Sequence, residues 1–212
     1  MGCKEQVLID DIIHEQVRGN HRNLSEAWMD LKKAYDSVYK KWQVAALQLI
    51  KTPKWIVRYV EQAGSKWRTS INLQVNRKTH TSSEVPIEKG IFQGDTLIPL
   101  LFVVSIITVS LLINRMNLGY MFGAPKQRKL DKMITHLLFM DDMKIYTTSK
   151  QSLVKVFNRA AEIFQSMGLF VGPDKCAVQH FVHGKKSLMD SQSCFKAVKL
   201  YSTWNTARDT RI

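Results

Sequence analysis

The chain is short of cysteine, and this shortage excludes one class of protein. Its 212 residues include three cysteines and five prolines. Three widely separated cysteines form no disulfide framework, which excludes a small disulfide-stabilised fold and indicates a reducing compartment. The first residues also lack the apolar core of a signal peptide. We therefore expect a cytoplasmic or nuclear protein that is not secreted.

Acidic residues are the next shortage. The chain has 18 Asp and Glu against 31 Lys and Arg, which gives a formal net charge of +13. The basic residues are spread along the chain instead of forming a tail, so the charge belongs to the fold itself. Such an excess favours a polyanionic partner, with nucleic acid ahead of an anionic membrane surface. A content of 45% apolar residues is sufficient for a buried core.

One long uncharged run requires a choice between a membrane span and a buried helix. Residues 97–113 carry no charge, and this length lies at the lower limit of what crosses a bilayer. Pro99 stands near the start of the run, and hydroxyl side chains interrupt it at Ser105, Thr108 and Ser110. A buried helix fits this composition at least as well as a membrane span.

The spacing of apolar residues predicts an alternation of helices and strands. Helices are predicted at 7–17, 39–50, 53–63, 97–113 and 151–167. Strands are predicted at 27–31 and 175–182, hairpins at 69–87 and 136–147, and a basic loop at 119–132. This pattern predicts an α+β fold on an antiparallel sheet rather than a series of parallel βαβ units.

Three aspartates occupy positions where such a fold can bring carboxylates together. Asp141 and Asp142 are adjacent within the apolar hairpin segment, and Asp30 lies in the predicted strand 27–31. Neighbouring strand residues face opposite sides, so a tight turn is needed to bring Asp141 and Asp142 near one point. Three converging carboxylates repel one another unless Mg²⁺ or Mn²⁺ neutralises them. The alternatives are a solvent-exposed Asp-Asp turn and an Asp30 that caps a helix or forms a salt bridge.

Four segments, in this order, resemble motifs A to D of the reverse transcriptases of non-LTR retrotransposons. They are AWMDLKKAYDSV, KGIFQGDTLIPLLF, HLLFMDDMKIY and GLFVGPDKCA, and together they span roughly 24–184. The resemblance implies a right-hand polymerase palm whose antiparallel sheet is flanked by helices, with partial fingers at about 40–90. It implies an RNA-directed DNA polymerase that transfers deoxynucleotides to a primer 3′ end. The implied partners are an RNA template, a DNA primer and deoxynucleoside triphosphates, without a membrane or a stable protein partner.

The resemblance also implies roles for individual residues. Asp30, Asp141 and Asp142 would be the catalytic carboxylates and would bind two Mg²⁺ or Mn²⁺ ions. Lys175 would stabilise charge or donate a proton near the leaving phosphate, the alternative being a solvated surface lysine. The match over 97–113 favours a buried palm helix over the membrane span.

Three further residues would contact the substrates. Tyr35 would lie beneath the incoming sugar and exclude a 2′-hydroxyl, the alternative being an ordinary core tyrosine. Gln93 and Gly94 would meet the nascent base pair, because Gly permits close backbone approach and Gln offers both a donor and an acceptor.

Some positions depart from the family pattern. Tyr39 and Lys40 replace the usual Pro-His, Ile98 replaces the usual Ser, and Met140 stands where Ala is common. None of these changes removes a catalytic group.

By the resemblance, segments of the family are expected to be missing at both ends. Only 29 residues precede Asp30, too few for the fingers strands, and neither a primer-grip hairpin nor a helical thumb follows Lys175. We expect a lead-in at 1–29, a palm at 24–184, and a divergent, poorly ordered tail at 185–212. The sequence thus predicts a truncated copy that binds nucleic acid but extends primers poorly by itself. The alternatives are a non-catalytic, basic nucleic-acid-binding remnant and, less favoured, a membrane-associated protein.

Overall fold

The computed structural model describes residues 3–90, 97–123 and 132–187. The chain divides into two compact units. The first, named the sheet unit, comprises Met1–Lys32, Val109–Ser166 and Phe170–Ile212. The second, named the helical unit, comprises Lys33–Thr108 and Met167–Leu169.

Helices and strands alternate along the described residues. The helices are α1 (Cys3–Gly19), α2 (Ala34–Ser37), α3 (Lys40–Leu49), α4 (Lys54–Ser65), α5 (Ile98–Asn114) and α6 (Lys150–Ser166). The first six strands are β1 (Leu24–Met29), β2 (Leu31–Lys32), β3 (Arg68–Thr69), β4 (Asn72–Val75), β5 (Lys78–Thr81) and β6 (Val85–Pro86). The others are β7 (Tyr120–Phe122), β8 (Lys132–Ile134), β9 (His136–Phe139), β10 (Asp142–Thr147), β11 (Phe170–Val171), β12 (Ala177–Val182) and β13 (Lys185–Lys186).

The sheet unit is built on five antiparallel strands in the order β13-β12-β1-β10-β9. Strand β1 is central and pairs with β10 on one side and β12 on the other. Five of its six residues are buried, which indicates that both faces of the strand are covered. The confirmed fold class is therefore α+β with an antiparallel sheet.

A helix covers each face of this sheet. Leu24 of β1 packs in one core cluster with Ile13 and Val17 of α1. Helix α6 contacts β1 and β10 and so covers the opposite face. Its buried residues recur every three or four positions, the spacing of one helical face, and are Leu153, Val156, Phe157, Ala160, Ile163 and Phe164.

The helical unit has a smaller core of its own. Ala46 and Leu47 of α3 pack with Val57 of α4 and Val104 of α5. Strands β4 and β5 form a hairpin in which every residue is exposed. Its turn residues Asn76 and Arg77 both have positive φ, 50° and 61°, as a tight two-residue hairpin turn requires.

The structure also corrects one expectation from the sequence and leaves another untested. The basic loop predicted at 119–132 is wrong for Tyr120–Phe122, which form β7 and pair with β8. Tyr120 is 1% exposed and joins the α1 core cluster, a tertiary contact that local composition does not reveal. Strand β13 lies at the start of the segment predicted to be poorly ordered, and residues 188–212 are outside the described residues. Within the described part, no helix is both long and apolar enough to cross a membrane.

His136 gives the sheet unit a pH-dependent stability. Its Nε2 lies 2.9 Å from the Ser110 hydroxyl oxygen and its Nδ1 lies 2.8 Å from that of Thr135. Burial lowers the pKa of His136 from 6.5 to about 4. Between these two pH values, the unfolded chain binds a proton that the folded chain does not.

We expect the free energy of unfolding to fall as the pH drops from 6.5 to 4, by up to about 3 kcal/mol from this residue. Urea unfolding at several pH values measures the effect. A His136→Asn variant, which keeps a polar group but does not titrate, should lose stability at pH 7 and lack this part of the pH dependence. The same slope in both proteins would contradict the assignment.

Candidate active site

Asp30 and Asp142 lie side by side at one end of the central strand pair. Met29 at the end of β1 is opposite Met143 of β10. Asp30 is one residue beyond this pair and Asp142 is one residue before it, so continuation of the register puts them next to each other. Both residues line the same cavity, which has a volume of about 360 Å³.

Asp141 is in the turn that joins β9 to β10. Phe139 pairs with Asp142, so the turn consists of Met140 and Asp141, and the predicted hairpin is confirmed. Met140 has a φ of 54°. A non-glycine residue in this region is strained by about 1 kcal/mol or more, which the surrounding pairing must offset. The turn thus places two consecutive carboxylates at the tip of the hairpin.

The three carboxylates interact electrostatically. Burial raises the pKa of Asp142, and the negative charges of Asp141 and Asp30 raise it further, whereas Lys175 opposes the shift. Their oxygen atoms do not all lie within 4.8 Å of one another. The arrangement is therefore a set of mutually repelling oxygen donors.

The segment after α6 holds Asp30 in place. The Gly172 amide donates a hydrogen bond to the Asp30 carbonyl oxygen at 2.8 Å. Lys175 Nζ lies 3.6 Å from Asp30 Oδ1, but its side chain is 75% exposed, so this ion pair contributes about 1 kcal/mol at most. A Cβ atom at Gly172 would stand 3.0 Å from Asp30 Oδ2. A larger residue at 172 would crowd the carboxylate.

A second polar cluster, which the sequence analysis missed, lies on the same sheet face under α1. Lys144 Nζ contacts Asp10 Oδ1 at 2.6 Å and Glu26 Oε2 at 3.2 Å. His14 Nε2 is 3.0 Å from Glu26, and the Tyr146 hydroxyl donates to Asp10 at 2.8 Å. Burial and the hydrogen bond to Asp10 raise the pKa of Tyr146, so its hydroxyl remains a donor.

This cluster is an ion-pair network rather than a metal centre. Asp10, His14 and Glu26 offer ligand atoms within 4.8 Å of one another and could hold a cation. The ammonium group of Lys144 already forms ion pairs with both carboxylates. A metal ion would have to compete with this buried amine, whose charge lies 4.1 Å from the centre of the Trp28 ring.

A signal for this cluster was present in the sequence. Glu26, Trp28 and Asp30 alternate along β1, and Asp142, Lys144 and Tyr146 alternate along β10, as do side chains that share one face of a sheet. The contribution of α1 has no such signal, because Asp10 and His14 reach the cluster only through tertiary packing.

Of the three residues that the resemblance predicts to contact substrates, the structure describes one. Tyr35 belongs to the helical unit, where its ring stacks on Phe102 with centroids 4.3 Å apart. Gln93 and Gly94 lie outside the described residues.

Comparisons with known sequences agree with the motif resemblance. The chain is 26% identical over 178 residues to the retrovirus-related Pol polyprotein from the type-2 retrotransposable element R2DM of Drosophila melanogaster. It is 26% identical over 177 residues to the corresponding polyprotein from the type-1 retrotransposable element R2 of Nasonia vitripennis. Each match covers 82% of this chain but only 15% and 16% of the relatives, so the chain spans about a sixth of their length.

Solved structures support the same fold. Apo telomerase from Candida tropicalis, truncated from its C-terminal domain, matches 91% of this chain and 37% of its own with a TM-score of 0.59 and 15% identity. Telomerase from Candida albicans in complex with a telomeric RNA fragment matches 84% of this chain and 30% of its own, with a TM-score of 0.52 and 16% identity. The family model for reverse transcriptase (RNA-dependent DNA polymerase) matches residues 2–198. The sequence-based identification is thereby confirmed, and the chain belongs to the reverse transcriptase family.

Proposed function

We propose that this chain is the palm of an RNA-directed DNA polymerase, which transfers deoxynucleotides to a primer 3′ end on an RNA template. The observation that carries the proposal is the placement of Asp30 beside Asp142 in one cavity, with Asp141 in the adjoining turn. Two segments of the sheet unit that are far apart in sequence supply these carboxylates. Membership of the reverse transcriptase family supports the same reaction.

The carboxylates Asp30, Asp141 and Asp142 would hold two divalent cations. Carboxylate oxygens are the ligands that Mg²⁺ and Mn²⁺ prefer. Burial raises the pKa of Asp142 most, and the repulsion from Asp141 and Asp30 that raises it further is the kind that a bound cation relieves. When bound, such ions would polarise the reacting phosphate and stabilise the charge that develops on it.

Residues of the chain itself would position and protonate the substrates. The exposed ammonium group of Lys175, next to Asp30, can approach a phosphate oxygen and donate a proton to the leaving pyrophosphate. Tyr35 would exclude the 2′-hydroxyl of the incoming sugar, and Gln93 and Gly94 would contact the nascent base pair. The excess of basic residues would attract the template and primer backbones, with an affinity that falls steeply with salt.

Replacing Asp142 tests the catalytic role. We expect Asp142→Asn to slow primer extension on an RNA template by about a thousandfold, because about 4 kcal/mol of electrostatic stabilisation would be lost. Single-turnover extension of a labelled primer with Mg²⁺ measures the rate. The control is Asp11→Asn, which removes an exposed carboxylate of α1 that does not line the cavity. Equal rates for Asp142→Asn and an unmodified chain that extends the primer measurably would refute the role.

Gly172→Ala tests the position of the Asp30 carboxylate. The added methyl group must displace Asp30 Oδ2, so we expect the affinity for Mn²⁺ to fall by about tenfold. Titration of Mn²⁺ followed by electron paramagnetic resonance measures the affinity. Gly19→Ala is the matched control, because a Cβ atom there would meet nothing within 4 Å. Unchanged Mn²⁺ affinity in Gly172→Ala would show that this glycine does not control the position of the Asp30 carboxylate.

Tyr35→Ala tests the sugar selection. Removal of the ring should relax discrimination against ribonucleotides by about tenfold or more, because its bulk would no longer exclude the 2′-hydroxyl. The ratio of incorporation rates for deoxynucleotides and ribonucleotides measures this effect and is insensitive to the fraction of active protein. Tyr35→Phe, which keeps the ring, should retain the selectivity. An unchanged ratio in Tyr35→Ala would make Tyr35 a packing residue alone.

A further inference from the structure

The helical unit contains a second cavity, which is lined by residues of α3 and α4 and by the start of α5. Its volume is about 380 Å³, within the range of about 300–1,000 Å³ that small-molecule pockets occupy. It has none of the residues to which the proposed reaction assigns a role. Besides apolar side chains and the exposed Glu61, its lining offers three kinds of chemistry that a ligand could use.

The first is an amide without a hydrogen-bond partner. Gln43 of α3 is 3% exposed and lines the cavity. Its Nε2 atom is buried and has no hydrogen-bond partner. Buried donors in native proteins are nearly always paired, and an unpaired one is destabilising. A donor left in this state at a cavity wall indicates an acceptor that arrives with a ligand.

The second and third are aromatic surface and positive charge. Tyr59 of α4, 60% exposed, and Trp67 contribute rings to the lining. Lys40 Nζ lies 4.7 Å from the centre of the Trp67 ring and donates to the Gly64 carbonyl oxygen at 2.6 Å. The side chain of Lys41, also in the lining, is exposed. Aromatic rings beside cations are how proteins bind unstacked bases together with their phosphates.

We propose that this cavity binds one unstacked base of a single-stranded RNA. Gln43 Nε2 donates to an acceptor on the base, the rings of Tyr59 and Trp67 contact its face, and Lys41 pairs with the adjacent phosphate. The inference rests on the proposed function, since it assigns part of the template to a site apart from the carboxylates. The charge of the helical unit also favours nucleic acid over a peptide, because residues 33–108 contain 11 Lys and Arg against 5 Asp and Glu.

The substitution Gln43→Leu separates ligand binding from a structural role. Leucine has a similar size and carries no donor, so the unliganded chain should become more stable, with a melting temperature about 2–4 °C higher. The affinity of the full chain for a fluorescent single-stranded RNA should nevertheless fall by about tenfold. Gln48→Leu is the control, since Gln48 is exposed on the same helix and does not line the cavity. Gln43→Met repeats the test with an unbranched side chain should leucine fail to fit.

The choice of probe identifies the ligand group. An abasic oligonucleotide of the same length should bind the unmodified chain more weakly than the RNA, and this difference should vanish in Gln43→Leu. A free mononucleotide is the other ligand that could offer this chemistry. If it competes with the RNA for the unmodified chain but not for Gln43→Leu, the ligand is a nucleotide rather than a base within a strand.

Two results would overturn the proposal. One is equal RNA affinity of Gln43→Leu and the unmodified chain. The other is a melting temperature that is lowered in both Gln43→Leu and Gln43→Met, which would make Gln43 a structural residue. In both cases the proposed function stands, provided that the unmodified chain binds RNA. Absence of any RNA binding by the unmodified chain would remove both proposals together.

Discussion

The pairing of β1 with β10 determines where the candidate catalytic carboxylates lie. Its register sets Met29 against Met143 and, by continuation, Asp30 beside Asp142. The same register brings Trp28 opposite Lys144, whose ammonium group lies over the ring. Because strand side chains alternate with a period of two, a slip of one residue would turn the carboxylates to the opposite face. The candidate site therefore depends on the hydrogen bonds of one antiparallel ladder.

The buried Glu26 helps to specify this register. Its side chain is fully buried, and the Lys144 and His14 side chains are its partners. A buried carboxylate is costly unless it is paired, and removing one partner of a buried pair typically costs about 3–5 kcal/mol. A shifted register would leave Glu26 without Lys144. The ion pair therefore disfavours the wrong alignment more than it adds to the stability of the correct one.

Local patterns in the sequence predicted much of this fold. Helical periodicity placed α1, α3, α4, α5 and α6 within a few residues of their ends, and the apolar segment around Asp141 predicted the hairpin. The predicted strands allowed Asp30 to meet this hairpin, but strand order has no local signal, and the motif resemblance was needed to imply that the two do meet. For the same reason β7 was missed, because Tyr120 is buried by contacts with distant residues. The roles of Asp30, Asp141, Asp142 and Lys175 stay predictions.

The sheet unit is built from three separate segments of the chain, and this determines the order in which its strands can pair during synthesis. Strand β1 leaves the ribosome before its partner β10, which follows only after the whole of 33–108 has been made. The helical unit is almost contiguous in sequence and can form its core first. Until β10 emerges, Glu26 of β1 lacks its Lys144 partner, and the edge of β1 that pairs with β10 has no neighbouring strand. The nascent chain thus carries a strand without its partner while these residues are being made, a window in which chaperones would engage it.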